Sequence, residues 1–393
     1  MTTFFPRRAL ASILNLDDFE RAARRHLPKP VFAYVAGGSE DNYSLHDNRV
    51  AFRDIALMPR ILRDVSRRTP MASLFGQEFS APFGIAPMGL SALSAYRGDI
   101  VLARAAKALG IPAIMSGSSL IRLEDVAREA PETWFQAYVP PTRERTEALI
   151  RRIEAAGFTT LVITVDVSVL PNRENNIRAG FKTPLEPDLA LLWQGISHPG
   201  WTINTAMRTL LNHGVPHFEN NEAVRGVPIV SRNVSRETGG RDWLSWDHLN
   251  HLRERWKGKL VVKGVLHPDD VSMAAKAGVD AIILSNHGGR QLDGSPSAMR
   301  VLPAAVKAAG NVPVMIDGGF RRGTDIIKAL ALGAAFVWLG RPFNYAASVA
   351  GEAGVAHAYK LLRNELLTDM ALVGVTTLPE LSEDNVLSKS TAR

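Results

Sequence analysis

Residues Ala281–Gly294 read AIILSNHGGRQLDG, an apolar run of strand length that ends in Asn286, His287, two glycines, Arg290 and Asp293. A run apolar on both faces marks a strand of a parallel sheet, so its polar C-terminal edge is where a molecule is bound or reacted. His287 is a base placed three residues before a fixed cation, Arg290, and the glycines between them let backbone approach a ligand closely. Proton transfer on an anionic substrate is the chemistry this spacing suits. A lone histidine in a turn is more often structural; the density of special residues around this one favours the chemical reading.

Seven further β-rich runs share this character: Phe83–Gly89, Pro112–Gly117, Thr133–Val139, Thr160–Asp166, Leu260–Val265, Val312–Gly319 and Phe336–Arg341. Between most of them lie stretches with apolar residues at three- and four-residue spacing: Gly98–Leu109, Thr142–Ala156, Pro268–Ala277, Met299–Ala309 and Gly323–Leu332. Several stop at glycines (Gly110, Gly157, Gly278, Gly310, Gly333) that suit a left-handed cap. Eight strands alternating with helices predict a parallel (β/α)8 TIM barrel in a single domain, with an N-terminal cap over residues 1–80. A doubly wound sheet is second choice, because no GxGxxG follows the first strand.

Active sites of such barrels lie at the C-terminal strand ends. Those ends carry, in order, Pro87-Met88-Gly89, Ser116, Gln136 and Tyr138, Thr164 and Asp166, Lys263, Ser285 and His287, Asp317-Gly318-Gly319, and Gly340-Arg341. Lys263 interrupts an apolar strand, where a buried ammonium needs a partner, and a bound anion would supply one. Asp166 suits a role as the carboxylate that orients His287 and supports its charged form. Glycines with Arg321 and Arg341, and a helix start after strand seven, suit a phosphate. The ten histidines lack metal-ligand spacing.

The chain has 393 residues, 46% of them hydrophobic, which makes it globular. It has no cysteine, which excludes disulfides and thiolate chemistry and fits a cytoplasmic setting. No run reaches the length of a membrane span. A net charge of +7 favours anionic substrates, cofactors or lipid surfaces; the basic residues are too dispersed for a nucleic-acid surface.

The strand–helix rhythm breaks once. About ninety residues separate Asp166 from Leu260, implying an insertion at approximately 172–259 that holds five of the seven tryptophans. Within it, Leu189–His217 has Arg208 as its only formal charge. A lid or subunit contact is the preferred reading; an interfacial membrane anchor, peripheral on the inner face of the cytoplasmic membrane, is the rival.

The motifs SNHGGRQLDG, DGGFRRGTDIIKALALGA and LGRP resemble those of the FMN-dependent α-hydroxy-acid oxidising family, and the similarity extends over nearly the whole chain. The resemblance implies FMN as cofactor and a small 2-hydroxy acid as substrate. It implies that His287 takes a proton from the substrate hydroxyl or α-carbon, with Asp166 in support. Arg290 and Arg173 would bind the carboxylate, and Tyr34 and Tyr138 would hydrogen-bond substrate. Lys263 would stabilise the reduced flavin, whose ring Pro87, Met88, Gly89, Ser116, Gln136, Thr164 and Ser285 would line. Asp317 would hold ribityl hydroxyls, and Gly318, Gly319, Arg321, Gly340 and Arg341 would surround the phosphate. A homotetramer is also implied.

Two positions depart from the family pattern. Met88 stands where a threonine is usual, and Ser118 stands where glycolate oxidases resemble one another in carrying a bulky aromatic, which leaves room for a larger substrate side chain. The expected activity is oxidation of an (S)-2-hydroxy acid of lactate or mandelate type, with electrons passed to a quinone or another carrier. The alternatives are a soluble oxidase that makes hydrogen peroxide, a non-redox phosphate-binding barrel, and a silent flavoprotein.

Overall fold

The computed structural model describes residues 10–181, 189–231 and 241–388. Residues 1–9 and the insertion segments 182–188 and 232–240 lie outside the described residues. Eight parallel strands form one sheet: β1 (Phe83–Ile85), β2 (Ile114–Ser116), β3 (Trp134–Ala137), β4 (Thr160–Thr164), β5 (Lys259–Val265), β6 (Ala281–Leu284), β7 (Val314–Asp317) and β8 (Phe336–Leu339). Each pairs with its sequence neighbours from β2 round to β8, and β8 pairs with β1. A parallel bridge from Ile85 to Ala113 completes the ring. The helices that follow the strands in turn are α1 (Gly98–Leu109), α2 (Leu123–Glu129), α3 (Arg143–Ala155), α4 (Trp246–Arg255), α5 (Pro268–Lys276), α6 (Ala298–Ala309), α7 (Gly323–Ala331) and α8 (Arg341–Val373). The expected barrel is therefore present.

Strand periodicity decides which side chains reach the site. On β6, Ala281 and Ile283 join an apolar cluster with Trp134, Val261, Met315 and Trp338, while Ile282 and Leu284 join the larger core that includes the helices. The first cluster fills the barrel interior. By the same alternation Val261 and Met315 face inward, and so do Lys263 and Asp317 two residues further on. The interior is plugged from below by the hairpin of strands Ala72–Leu74 and Gln77–Phe79. Leu74 joins the inner cluster, and Phe75 packs 5.5 Å from Trp134.

Most predicted strands run one to four residues too far at their C-terminal ends, while Leu260–Val265 ends where predicted. Ala281–His287 narrows to β6, because His287, Gly288 and Gly289 all take positive φ and leave the sheet. Helix boundaries agree within one or two residues, and Thr142 caps α3 by accepting from the Arg145 amide. The final helix starts at Arg341, directly after β8, and breaks at Ala350–Gly351.

The insertion contains α4, which belongs to the barrel, and a helical pair spanning Leu189–Ser197 and Pro199–His213. One side of that pair docks on the loop after β1: Trp201 donates its indole N–H to the Leu93 carbonyl at 2.7 Å, and Arg208 lies 3.9 Å over the Tyr96 ring. The other side exposes Leu192, Trp193, Ile196, Ile203, Leu210 and Leu211. The tryptophan count does not carry the anchor reading. Trp256 is 2% exposed, and Trp201, Trp243 and Trp246 pack on the core; Trp193 and its aliphatic neighbours make the exposed face. Among the described residues no helix is long and apolar enough to cross a membrane.

Candidate active site

At the C-terminal ends of the strands lies a cavity of about 470 Å³. His287 reaches it from a left-handed backbone (φ 56°), a conformation that costs a β-carbon-bearing residue of order 1 kcal/mol and persists only when surroundings impose it. Ser285 helps impose it, its Oγ accepting the His287 backbone N–H at 2.9 Å. Gly288 and Gly289 then turn the chain sharply, and a Cβ on Gly289 would lie 2.4 Å from the Leu45 amide. This close approach seats the N-terminal helix Tyr43–Val50 against the loop. Asn48 and Asn286 exchange reciprocal buried amide hydrogen bonds of 2.8 and 3.0 Å, and Asp293 caps the same helix through the Tyr43 and Ser44 amides.

His287 Nδ1 lies 3.0 Å from Asp166 Oδ1. Burial pushes the Asp166 carboxyl up, but His287 and Lys263 together hold it below the usual carboxylate range. The carboxylate is thus ionised, Nδ1–H donates to it, and Nε2 is left with a lone pair for a substrate proton. Burial lowers the His287 pKa from 6.5, Asp166 opposes this, and Lys263 and Arg173 add to it. Because the base works unprotonated, kcat/KM is expected to rise with pH through a value below 6.5 and to be lost below it. Asp166→Asn removes the opposing charge, so its pH–rate profile should show that limb shifted further toward acid at a lower plateau.

Room for Asp166 comes from a β-bulge in β5 between Lys263 and Val265. At its centre Gly264 has φ 102°, and a Cβ there would lie 2.5 Å from Asp166 Cγ. Gly264→Ala should displace the carboxylate and lower kcat by roughly tenfold to a hundredfold. Single-turnover kinetics at saturating substrate would read the loss, with circular dichroism checking the fold.

Lys263 finds its partner within the protein. Its Nζ lies 2.7 Å from Asp317 Oδ2 and donates to Ser285 Oγ at 2.8 Å. Asp317 thus supplies the partner that the sequence reading assigned to a bound anion. Ser285 is wholly buried behind the cavity, where it braces Lys263 and His287; it does not line the wall.

Arg290 donates to the Tyr34 and Gly37 carbonyls, both at 2.7 Å, and its guanidinium lies 5.0 Å from the Tyr34 ring. Burial pushes its pKa down to about 9, with the Arg173 and Arg341 charges adding and Tyr34 opposing. Arg173 donates to the Arg290 carbonyl and to Gln291. Arg341 donates to the carbonyls of Val35 and Gly37, while Arg321 pairs with Asp17 at 3.4 Å and Glu20 at 3.7 Å. These four arginines all line the cavity, and cations gathered there suit anionic groups. Tyr138 is pushed up to about 12 by burial, then by Asp166, so its hydroxyl stays neutral and can donate.

Pro87, Met88, Gly89, Ser116, Gln136, Thr164, Gly318, Gly319 and Gly340 all line the same cavity, as predicted from their strand ends. Gln136 Oε1 accepts from Ser116 and from the Gly117 amide, leaving its buried Nε2 without a partner in the protein; Asp317 Oδ1 is likewise unpaired. A buried donor and a buried acceptor aimed at a large cavity fit a heteroaromatic edge and a polyol. Residues not foreseen from sequence are Leu170, Asn176, Ile177, Phe181, Phe218, Asn221 and Arg241. They sit in or beside the insertion, where no strand pattern gave them a place.

Residues 23–388 match the family described as FMN-dependent dehydrogenase. The chain belongs to this family. It is 38% identical over 376 residues to (S)-mandelate dehydrogenase of Pseudomonas putida, covering 95% of this chain and 93% of that one. It is 37% identical to the L-lactate dehydrogenase of Chromohalobacter salexigens, covering 95% of each. Among solved structures it is similar to the monotopic membrane protein (S)-mandelate dehydrogenase, with a TM-score of 0.88, 37% identity, and coverage of 96% of this chain and 100% of that chain. A mandelate oxidase structure follows with a TM-score of 0.78 and 32% identity, covering 94% and 97%. As a member of the family the protein is an FMN-dependent oxidoreductase.

Proposed function

We infer that the protein oxidises an (S)-2-hydroxy acid of the lactate or mandelate type to the 2-oxo acid. The His287–Asp166 pair, with His287 on the same cavity as Arg290 and Arg173, carries this reading, because a base beside paired arginines suits proton removal from a carboxylate-bearing substrate. The two arginines would hold the substrate carboxylate. Tyr34 and Tyr138 would hydrogen-bond the substrate, and Nε2 of His287 would take one of the two protons released as the C–O bond becomes a carbonyl. FMN, when bound, accepts the two electrons and the other proton. Gln136 and Lys263 would hold its pyrimidine edge, Pro87, Met88, Gly89, Ser116 and Thr164 its ring, Asp317 its ribityl hydroxyls, and Gly318, Gly319, Arg321, Gly340 and Arg341 its phosphate.

Anaerobic titration with (S)-mandelate and with (S)-lactate tests the reading. Bleaching of the flavin absorbance is expected; a flavin left oxidised by both acids would overturn it. The cavity also supports a side chain larger than methyl. A Cβ on Gly89 would stand 3.3 Å from both Ser118 Cβ and the Tyr34 hydroxyl, so residue 118 borders the space beside Tyr34. Ser118→Trp should therefore raise KM for mandelate at least tenfold and spare lactate, as steady-state kinetics on the two acids would show.

For the acceptor, a quinone at a membrane face fits the exposed apolar helical pair of the insertion. Co-flotation with anionic liposomes at low salt, together with reduction of a short-chain quinone, is expected. Failure to float, or stoichiometric hydrogen peroxide in air, would favour the soluble oxidase.

A further inference from the structure

Asp99 stands in the first turn of α1, only 5% exposed, and does not line the cavity. Its carboxyl accepts from the Ser91 hydroxyl at 2.6 Å and from the Ser119 hydroxyl, and both serines are wholly buried. Gly98 permits the close approach, since a Cβ there would lie 2.4 Å from the Ser91 carbonyl oxygen. The two serines belong to different loops, Ser91 to the one after β1 and Ser119 to the one after β2. These loops also meet directly, the Leu90 amide donating to the Ser118 carbonyl at 3.2 Å. The Ser119 carbonyl in turn accepts from the Glu219 amide at 3.2 Å, which ties in the insertion. In each segment the residue just before the tie lines the cavity: Leu90, Ser118 and Phe218. Leu90 and Phe218 share an apolar cluster with Phe181, whose ring stacks 4.6 Å from that of Tyr34. Burial pushes the Asp99 carboxyl up to about 6, with the two hydroxyls opposing. A carboxyl kept at that cost, away from the reacting groups and between two loops of the site, points to a bracing task.

We propose that Asp99 is a positioning residue that fixes the spacing of Leu90, Ser118 and Phe218, and thereby the size of substrate side chain the cavity accepts. This rests on the hydroxy-acid reading above and adds what sets its substrate range. An ionised carboxyl only accepts, so it commits both hydroxyls as donors and holds the two loops at one separation. A large substrate side chain draws affinity from a wall held in place, whereas a methyl group has far less apolar area to lose.

The test compares (S)-lactate, (S)-2-hydroxyhexanoate and (S)-mandelate in the holoenzyme and in Asp99→Ala, Asp99→Asn, Ser91→Ala and Ser119→Ala. In Asp99→Ala, kcat/KM for the better of the two large acids, taken relative to lactate, should fall about tenfold, the scale of one hydrogen bond to a charged group. The fall should come through KM, with kcat for lactate close to native. Asp99→Asn keeps a partner for both hydroxyls and should restore the native ratio, and each serine variant should lower the ratio less than Asp99→Ala does. A ratio unchanged in folded Asp99→Ala, an equal loss for every acid, or no rescue by Asp99→Asn overturns the proposal. Where Asp99→Ala does not fold, the serine variants decide, and an unchanged ratio in both overturns it. Should no acid reduce the flavin, the hydroxy-acid reading itself fails. Flavin difference spectra on binding benzoylformate and pyruvate then still decide the role of Asp99. A Kd raised in Asp99→Ala for benzoylformate alone supports that role, and equal changes for the two ligands refute it.

Discussion

His287→Gln should lower kcat by about 10⁴-fold, the upper range for removing a positioned base, while the flavin stays bound and the chain folded. The base acts through Nε2 because Nδ1 is committed to Asp166 at 3.0 Å. Glutamine keeps a polar group of similar reach and removes the proton acceptor, so the loss should appear in flavin reduction under single-turnover conditions. KM should change far less than kcat, since Arg290 and Arg173 are untouched. A variant that kept a tenth of native kcat would move the base to another residue.

Lys263→Met is expected to be the most destabilising single change at the site. Its ammonium and the Asp317 carboxylate form a 2.7 Å pair whose side chains are 5% and 10% exposed, at the top of an otherwise apolar barrel interior. Removing one partner leaves a buried charge, which costs about 3–5 kcal/mol. It also removes a donor to Ser285, which braces the His287 amide. Urea unfolding with and without excess FMN should show a lower midpoint in both conditions and weaker flavin retention. The double variant Lys263→Met/Asp317→Leu should recover much of the stability without recovering flavin affinity. Failure of that recovery would mean that packing rather than the unpaired carboxylate sets the cost.

The membrane and acceptor readings depend on surface rather than chemistry. The insertion presents Leu192, Trp193, Ile196, Ile203, Leu210 and Leu211 outward while its other side is tied to the barrel by Trp201 and Arg208. Composition offered the tryptophans as a rival membrane anchor, yet tertiary packing consumes most of them, Trp256 at the C-terminal end of α4 above all.

Much of the barrel and most of its wall were legible in the chain, because both follow from local rules. Doubly buried strands are apolar throughout, and their last residues must face the one open end of the barrel, so Gln136, Thr164, Lys263, His287 and Asp317 identify themselves by breaking an apolar run. Other features were not legible, because they depend on which side chains meet across the fold. That Lys263 answers to Asp317, that Ser285 stands behind the wall, and that a bulge at Gly264 admits Asp166 are consequences of strand register around a closed ring. Arg241 lies still further from sequence logic. It belongs to an irregular insertion without periodicity, and it reaches Tyr138 only because the folded chain brings residues a hundred positions apart within 4.5 Å. Sequence alone determined the fold, through hydrophobic period and residue types at strand ends, and the resemblance of its motifs to the FMN-dependent family carried the cofactor and the class of reaction. Tertiary structure decided which charges pair, which polar groups are left to meet a ligand, and which apolar residues remain exposed, because those outcomes depend on burial.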